Sequence, residues 1–388
     1  MRDTLRKGRK FLKSLLTMFL LMSMIATPFV AKAADPIKVG VIDPMTGGGS
    51  FFGDMLVKGI RLAMEEINSA GGLLGRKIEI IVEDDRSLPT EGVSAAQKLI
   101  NRDNVVAILG TFNSAVSLAV ADLSRRYKVP QIITSAIAPD ITGKNTPGQP
   151  WVFRAHGQAK DSSEALADYF FNVAKFKKLA IIYENTDAGK SRQEMVAAMA
   201  KERSVPVVAT EVYNHGDTDF YAQLTKIKNA NPDGIFISGI VMEGSQILKQ
   251  AKELGIKGQF VGSSGFNSDK LIELAGPAAE GFVTIGSFEP TSKKPIRAKF
   301  TEKFKAKYGT LPDNYAAQGY DAMNVLADAI KRANSVDREK IRDALAKTKN
   351  LPMVEAGTLT FDEMGEVIGF KNAYLIIKNG KRDYLIEY

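Results

Sequence analysis

Read for its apolar and polar positions, the chain alternates short apolar runs with longer amphipathic stretches. Ile37-Lys38-Val39-Gly40-Val41-Ile42 predicts a strand, 53–67 a helix, 77–82 a strand and 90–100 a helix. The pattern continues with a strand at 105–109, a helix at 114–127 and a strand at 131–134. A second series starts after Trp151-Val152-Phe153-Arg154, with helices over 162–173, 189–201, 221–228 and 244–254. Its strands fall at 178–183, 206–212, 234–238 and 259–262. Short apolar strands separated by helices predict parallel sheets covered on both faces, here twice over.

The last hundred residues depart from this rhythm. Three helices, over 295–308, 315–333 and 338–346, precede a hairpin expected to join Thr358-Leu359-Thr360-Phe361 to 373–377. We read these segments as returns to two α/β domains, the first formed by 34–154 with about 281–355 and the second by about 155–280 with about 356–388. Several crossings between two domains predict a hinge rather than a loose tether.

The first 33 residues read as an export signal. Arg2, Arg6, Lys7, Arg9, Lys10 and Lys13 precede an apolar stretch from Leu15 to Val30, and Ala31-Lys32-Ala33 supplies the small residues of a cleavage site. Seven of the 52 Lys and Arg and one of the 44 Asp and Glu lie within it, so the net charge of +8 falls to +2 beyond Ala33. A near-neutral mature chain gives no reason to expect nucleic acid. The chain has no cysteine, which excludes disulfides, thiolate chemistry and a lipid on cysteine. A freely exported periplasmic protein, acting as a monomer, is expected.

Catalytic patterns fail on spacing. Gly47-Gly48-Gly49-Ser50 lacks the spaced glycines or the Gly-Lys-Ser/Thr ending of a phosphate loop. Gly189-Lys190-Ser191 has that ending, but Glu184 stands where the loop needs glycine. His156 and His215 are the only histidines and lie in different loops, and no Gly-x-Ser-x-Gly elbow follows a strand. Asp84-Asp85 could hold Mg²⁺ or simply lie on a solvated helix approach. No enzyme, cofactor or metal is expected.

Loops that follow strands are better suited to holding a solute, because ligands of open α/β sheets lie beyond the strand ends. Gly110-Thr111-Phe112-Asn113-Ser114-Ala115 combines small residues with a helix start, where Ser114 could offer its hydroxyl beside free amides or cap the helix. Thr134-Ser135-Ala136 adds a polar rim, and in the second domain Glu184 to Gly189 and Gly262-Ser263-Ser264-Gly265-Phe266 repeat the logic. Phe51, Phe52 and Tyr315 could wall the cleft.

Taken together, these stretches resemble the leucine/isoleucine/valine-binding family, solute receptors of branched-chain and related amino-acid ABC transporters. The resemblance rests on Ile37-Lys38-Val39-Gly40 with Met45-Thr46-Gly47, on Gly59-Ile60-Arg61-Leu62-Ala63 with Glu66 to Gly72, and on Asp84-Asp85. It continues through 110–114, Pro130-Gln131-Ile132-Ile133, Phe153-Arg154 and Gln246 to Ala251, covering the mature chain. It implies a type I periplasmic-binding-protein fold, two lobes closing on a ligand, and delivery to permease subunits. It also implies a ligand α-carboxylate held by Phe112, Asn113, Ser114, Ser135 and Ala136, with Phe52 and Tyr315 as aromatic walls.

In the second lobe, Ala188 and Ile240 stand where the family pattern has pocket tyrosines, and Ser264 beside Gly265 replaces its acidic ammonium partner. Glu184, Asp187, Asp161 or Glu243 could supply the missing acid. The resemblance therefore extends to receptors of aromatic acids, amides or urea and to ligand-sensing subunits.

Overall fold

The computed structural model describes residues 35–355 and 357–388, with the backbone alone at Ala159, Lys160, Asp187 and Ala188. The expected signal and its cleavage point lie outside the described residues. Strands β1 (Ile37–Asp43), β2 (Ile78–Asp84), β3 (Ala107–Gly110), β4 (Gln131–Ile133) and β5 (Val152–Arg154) form a parallel sheet in the order β2-β1-β3-β4-β5. Helices α1 (Ser50–Ser69), α2 (Pro89–Asn101), α3 (Ser114–Tyr127) and the short α4 (Asp140–Gly143) connect them.

Successive side chains of β1 point to opposite faces, and both faces are buried. Ile37, Val39 and Val41 meet Val57 and Ile60 of α1, while Ile42 meets Leu99 of α2 and Val116 and Val120 of α3. This explains a strand with almost no polar alternation.

After the crossing at 155–158 come α5 (Ala159–Asp168), which runs into a π-turn, β6 (Leu179–Glu184), α6 (Asp187–Glu202), β7 (Val207–Tyr213) and α7 (Tyr221–Ala230). Then follow β8 (Gly234–Ser238), α8 (Val241–Glu253), β9 (Gln259–Gly262), α9 (Asp269–Ala275) and β10 (Val283–Gly286). The tail consists of α10 (Pro295–Tyr308), α11 (Asn314–Ala333), α12 (Arg338–Ala346), β11 (Leu351–Met353), β12 (Gly357–Leu359), β13 (Ala373–Lys378) and β14 (Lys381–Ile386). The second sheet has the order β14-β13-β10-β9-β8-β6-β7, antiparallel only at β13 and β14.

The tail corrects two expectations. β12 pairs with β11, not with β13, and β13 turns directly into β14 through Asn379-Gly380, both left-handed at φ 53° and 69°. An Asn-Gly pair of this kind makes the two-residue hairpin turn. The lobe crossings also fall later than expected. β10, at 283–286, belongs to the second sheet, while Leu359, Phe361 and Val367 lie in the core of the first lobe. A fully buried four-residue strand such as Val283–Gly286 has no alternation to reveal it.

Two close approaches set the geometry of the first lobe. A Cβ on Gly59 of α1 would lie 2.0 Å from the Ala316 carbonyl oxygen, and one on Gly319 of α11 would lie 2.1 Å from that of Leu56. Bare backbone at both positions lets the two helices touch, and so brings their first turns together. Among the described residues no helix is long and apolar enough to cross a membrane.

Candidate functional site

In each sheet the strand order reverses at one point, between β1 and β3 in the first lobe and between β6 and β8 in the second. Loops diverge there and leave a crevice at the carboxyl ends of the strands. The residues of interest are those that border these two points.

At the first, Gly110 ends β3 with φ +124°, and a Cβ there would sit 2.1 Å from the Ile42 carbonyl oxygen, so no side chain fits. Gln131 donates to the Gly110 carbonyl at 3.0 Å, and buried Thr111 and Ser117 share a hydroxyl hydrogen bond of 2.7 Å. These contacts pin the loop that carries Phe112, Asn113 and Ser114.

Asn113, not Ser114, caps α3. Its side-chain oxygen accepts from the Ala115 and Val116 amides at 2.9 and 3.4 Å, because the extended Asn113 backbone places its short carboxamide over the first turn. Ser114 is the first helical residue, and neither its amide nor its hydroxyl has a hydrogen-bond partner among the described residues. The cap thus takes two amides and leaves one donor pair turned to the loop.

Phe52 of α1 stacks on Phe112 with ring centroids 4.6 Å apart and planes 10° from parallel, and Tyr315 meets Phe52 edge-on at 4.9 Å. The α1–α11 contact and the pinned loop bring these three rings together from distant segments. Phe51, 62% exposed, turns away from this group toward solvent while touching Phe52.

Ser135 and Ala136 follow β4. The Ala136 side chain is buried beside Ile133 and Ile141, and its carbonyl accepts from Arg154. Fully buried Arg154 also donates to the Ala138 carbonyl at 2.7 Å and to both oxygens of Glu366 at 3.1 Å. That ion pair, with one N–H shared between two carboxylate oxygens, helps to fix the rim loop. Nearby His156 is buried, and burial first, then the Arg154 charge, push its pKa down to about 3, so it stays neutral.

The Asp84-Asp85 pair has separate duties. Asp84 accepts from the Met45 amide at 2.8 Å, the Thr46 hydroxyl at 2.5 Å and the Arg86 amide at 2.9 Å, which ties the loop after β1 to that after β2. Asp85 is buried and accepts from the Ser87 amide at 2.8 Å, and burial pushes its pKa up to about 6. Asp43, buried at the end of β1, lies beside it. Burial and then the Asp85 charge push its carboxyl well above the ordinary range, and the Phe112 amide offsets this only in part.

At the second crevice Glu184 ends β6. It is buried, and His215 approaches with Nδ1 2.9 Å from Glu184 Oε1 and 3.6 Å from Oε1 of the equally buried Glu243. The α6 helix starts behind a Thr186 cap on the Gly189 amide at 3.1 Å, and the side chains of Asp187 and Ala188 lie outside what the structure describes. Ile240, Ser264 and Gly265 are exposed at the ends of β8 and β9. The ion pair of Arg154 with Glu366 and the grouping of Glu184, His215 and Glu243 were not read from the sequence; they join residues far apart in the chain.

Comparison with known proteins gives a consistent picture. The model of a family described as periplasmic binding protein matches residues 36–369. Leu/Ile/Val-binding protein homolog 1 of Brucella suis is 31% identical over 356 residues, covering 91% of this chain and 93% of that protein. The leucine-, isoleucine-, valine-, threonine- and alanine-binding protein of Pseudomonas aeruginosa is 30% identical over 369 residues, with 94% and 95% covered. The crystal structure of a leucine-binding protein from Thermotoga maritima superposes with a TM-score of 0.75 at 34% identity, covering 90% of this chain and 97% of the other.

Proposed function

Because this chain belongs to the periplasmic binding protein family, among its Leu/Ile/Val-binding proteins, we propose that its solute is a small aliphatic amino acid whose carboxylate rests on the start of α3. As a member of that family the chain is a periplasmic solute receptor of an ABC transporter and performs no chemistry on what it binds. It captures a small polar solute between two lobes and releases it unchanged.

The observation that carries the choice of solute is at Ser114. A hydroxyl and an amide without partners among the described residues stand at the positive end of a 14-residue helix. Two donors at a helix N-terminus suit a carboxylate. Phe52, Phe112 and Tyr315 supply an apolar wall beside them. Ile137 in the loop after β4, Ile240 at the cap of α8 and Met242 in its first turn are 42%, 41% and 56% exposed, apolar surface near the strand ends that favours an aliphatic solute. The names of the Brucella and Pseudomonas relatives support the same class. Ser264 and Gly265 form the opposite lip, and a monomer presents the closed lobes to the permease subunits.

A thermal-shift screen of amino acids, aromatic acids, amides and urea tests this reading, with hits confirmed by calorimetry. Ligand at a hundred times its Kd stabilises the folded state by about 2.7 kcal/mol. Selective stabilisation by one or a few aliphatic amino acids is expected, with the bound molecule recovered intact by mass spectrometry. Stabilisation by aromatic acids, amides or urea alone would overturn the choice of solute.

A further inference from the structure

We infer that Glu184 and Glu243 together form the second-lobe acceptor for a protonated amine on the solute, a place that His215 holds when the solute is absent. The inference rests on the reading of the solute as a small amino acid and assigns its amino group. The position replacing an acidic partner on this lobe is Ser264, which has no charge to offer.

Both carboxylates border the reversal point of the second sheet, Glu184 at the end of β6 and Glu243 in the first turn of α8. They are 7% and 4% exposed. Buried carboxylates are costly unless paired, yet among the described residues neither forms an ion pair with Lys or Arg. Their one titratable partner of opposite potential charge is His215, whose side chain is 70% exposed and can leave without unpacking the core.

Two further polar groups are unspent. Glu243 uses Oε1 to accept from the Gly216 amide at 2.9 Å, while among the described residues its Oε2 is buried without a partner, as is the Ser238 hydroxyl at the end of β8. Buried Tyr213 reaches the Ser238 carbonyl at 3.4 Å, and its hydroxyl would lie 1.8 Å from a Cβ on Gly239. The bare backbone at Gly239 is thus what lets the Tyr213 hydroxyl sit beside the two acids. Burial and then the charges of Glu184 and Glu243 hold the Tyr213 hydroxyl protonated, leaving it a donor and the carboxylates the acceptors. An ammonium has three donors and no acceptor, which matches what remains open.

The test uses calorimetry on the whole exported protein with L-leucine and with 4-methylpentanoate, which has the same carboxylate and side chain but no amine. Wild type is expected to prefer leucine by at least tenfold, and Glu184→Gln with Glu243→Gln to lose at least tenfold in leucine affinity without loss for 4-methylpentanoate. A purely structural role would weaken both ligands alike, and that result, or leucine binding equal to wild type, overturns the assignment. Equal wild-type affinity for the two ligands overturns the acceptor and leaves the carboxylate reading standing; no binding of either overturns both. If the Gln variants fail to fold by circular dichroism, His215→Asn carries the test from an exposed position. Tighter leucine binding with unchanged 4-methylpentanoate binding is expected, and unchanged leucine binding overturns the proposal.

Discussion

Asn113 and Ser114 are neighbours with different work. Asn113 satisfies two helix amides and so belongs to stability; Ser114 satisfies none and so is free for a ligand. Asn113→Ala is expected to cost about 1 kcal/mol of folding stability, the usual value of a cap. Ser114→Ala is expected to leave the urea midpoint within error while weakening leucine binding by about 1–3 kcal/mol, since a charged acceptor loses a donor. Chemical denaturation and calorimetry on the same two variants check the division, and a large stability loss at Ser114 would contradict it. Ser114 drew attention in the sequence because a small polar residue between a strand and a helix is a local signal. Its alternative reading as the cap gives way to Asn113, since either side chain could serve until the backbone is seen.

At the scale of elements, most helices and most strands were legible from periodicity, including α10, α11 and α12 in the irregular tail, while the short α4 and α9 were not. What was not legible depends on partners distant in sequence. The pairing of β12 with β11, the place of β10 in the second sheet and the ion pair of Arg154 with Glu366 leave no local periodic trace. The contact of α1 with α11 is a similar case, because Gly59 and Gly319 each look like an ordinary helical glycine. Gly319→Ala would press a methyl into the Leu56 carbonyl, part of a backbone that cannot rotate away. A loss of about 1–3 kcal/mol is expected, as for other overpacked interiors. Leucine affinity is expected to fall as well, because Tyr315 would move off Phe52. Full retention of both properties would show that the helices do not meet as described.

At the scale of the whole molecule, buried polar contacts tie the two lobes together. Glu355, buried on the first-lobe side, accepts from Gln318 of α11 at 2.7 Å and from Ser287, next to β10 of the second sheet, at 2.5 Å. Arg297 of α10 donates to the Val354 carbonyl and to Glu387 beyond β14, both at 2.8 Å. Burial pushes Glu355 from its ordinary 4.5 to about 8, and Asp321, which accepts from the Val354 and Glu355 amides, from 3.8 to about 7. With these folded-state values raised, the native protein binds more protons than the unfolded chain, so this part of its stability falls as pH rises from about 4.5 to about 8. Glu355→Gln is expected to flatten that fall, leaving the smaller slope due to Asp321 and to the other buried carboxyls, Asp43 and Asp85. Urea midpoints at several pH values check it, and parallel curves for the two proteins would contradict it.

The central claim is that a small amino acid is enclosed between the lobes by their closure. Small-angle X-ray scattering of the exported protein, with and without leucine at a concentration that calorimetry shows to be saturating, tests it most directly. The account expects a smaller radius of gyration with leucine, and the same change in Ser114→Ala only at higher leucine concentration. Full occupancy with an unchanged scattering profile would contradict it.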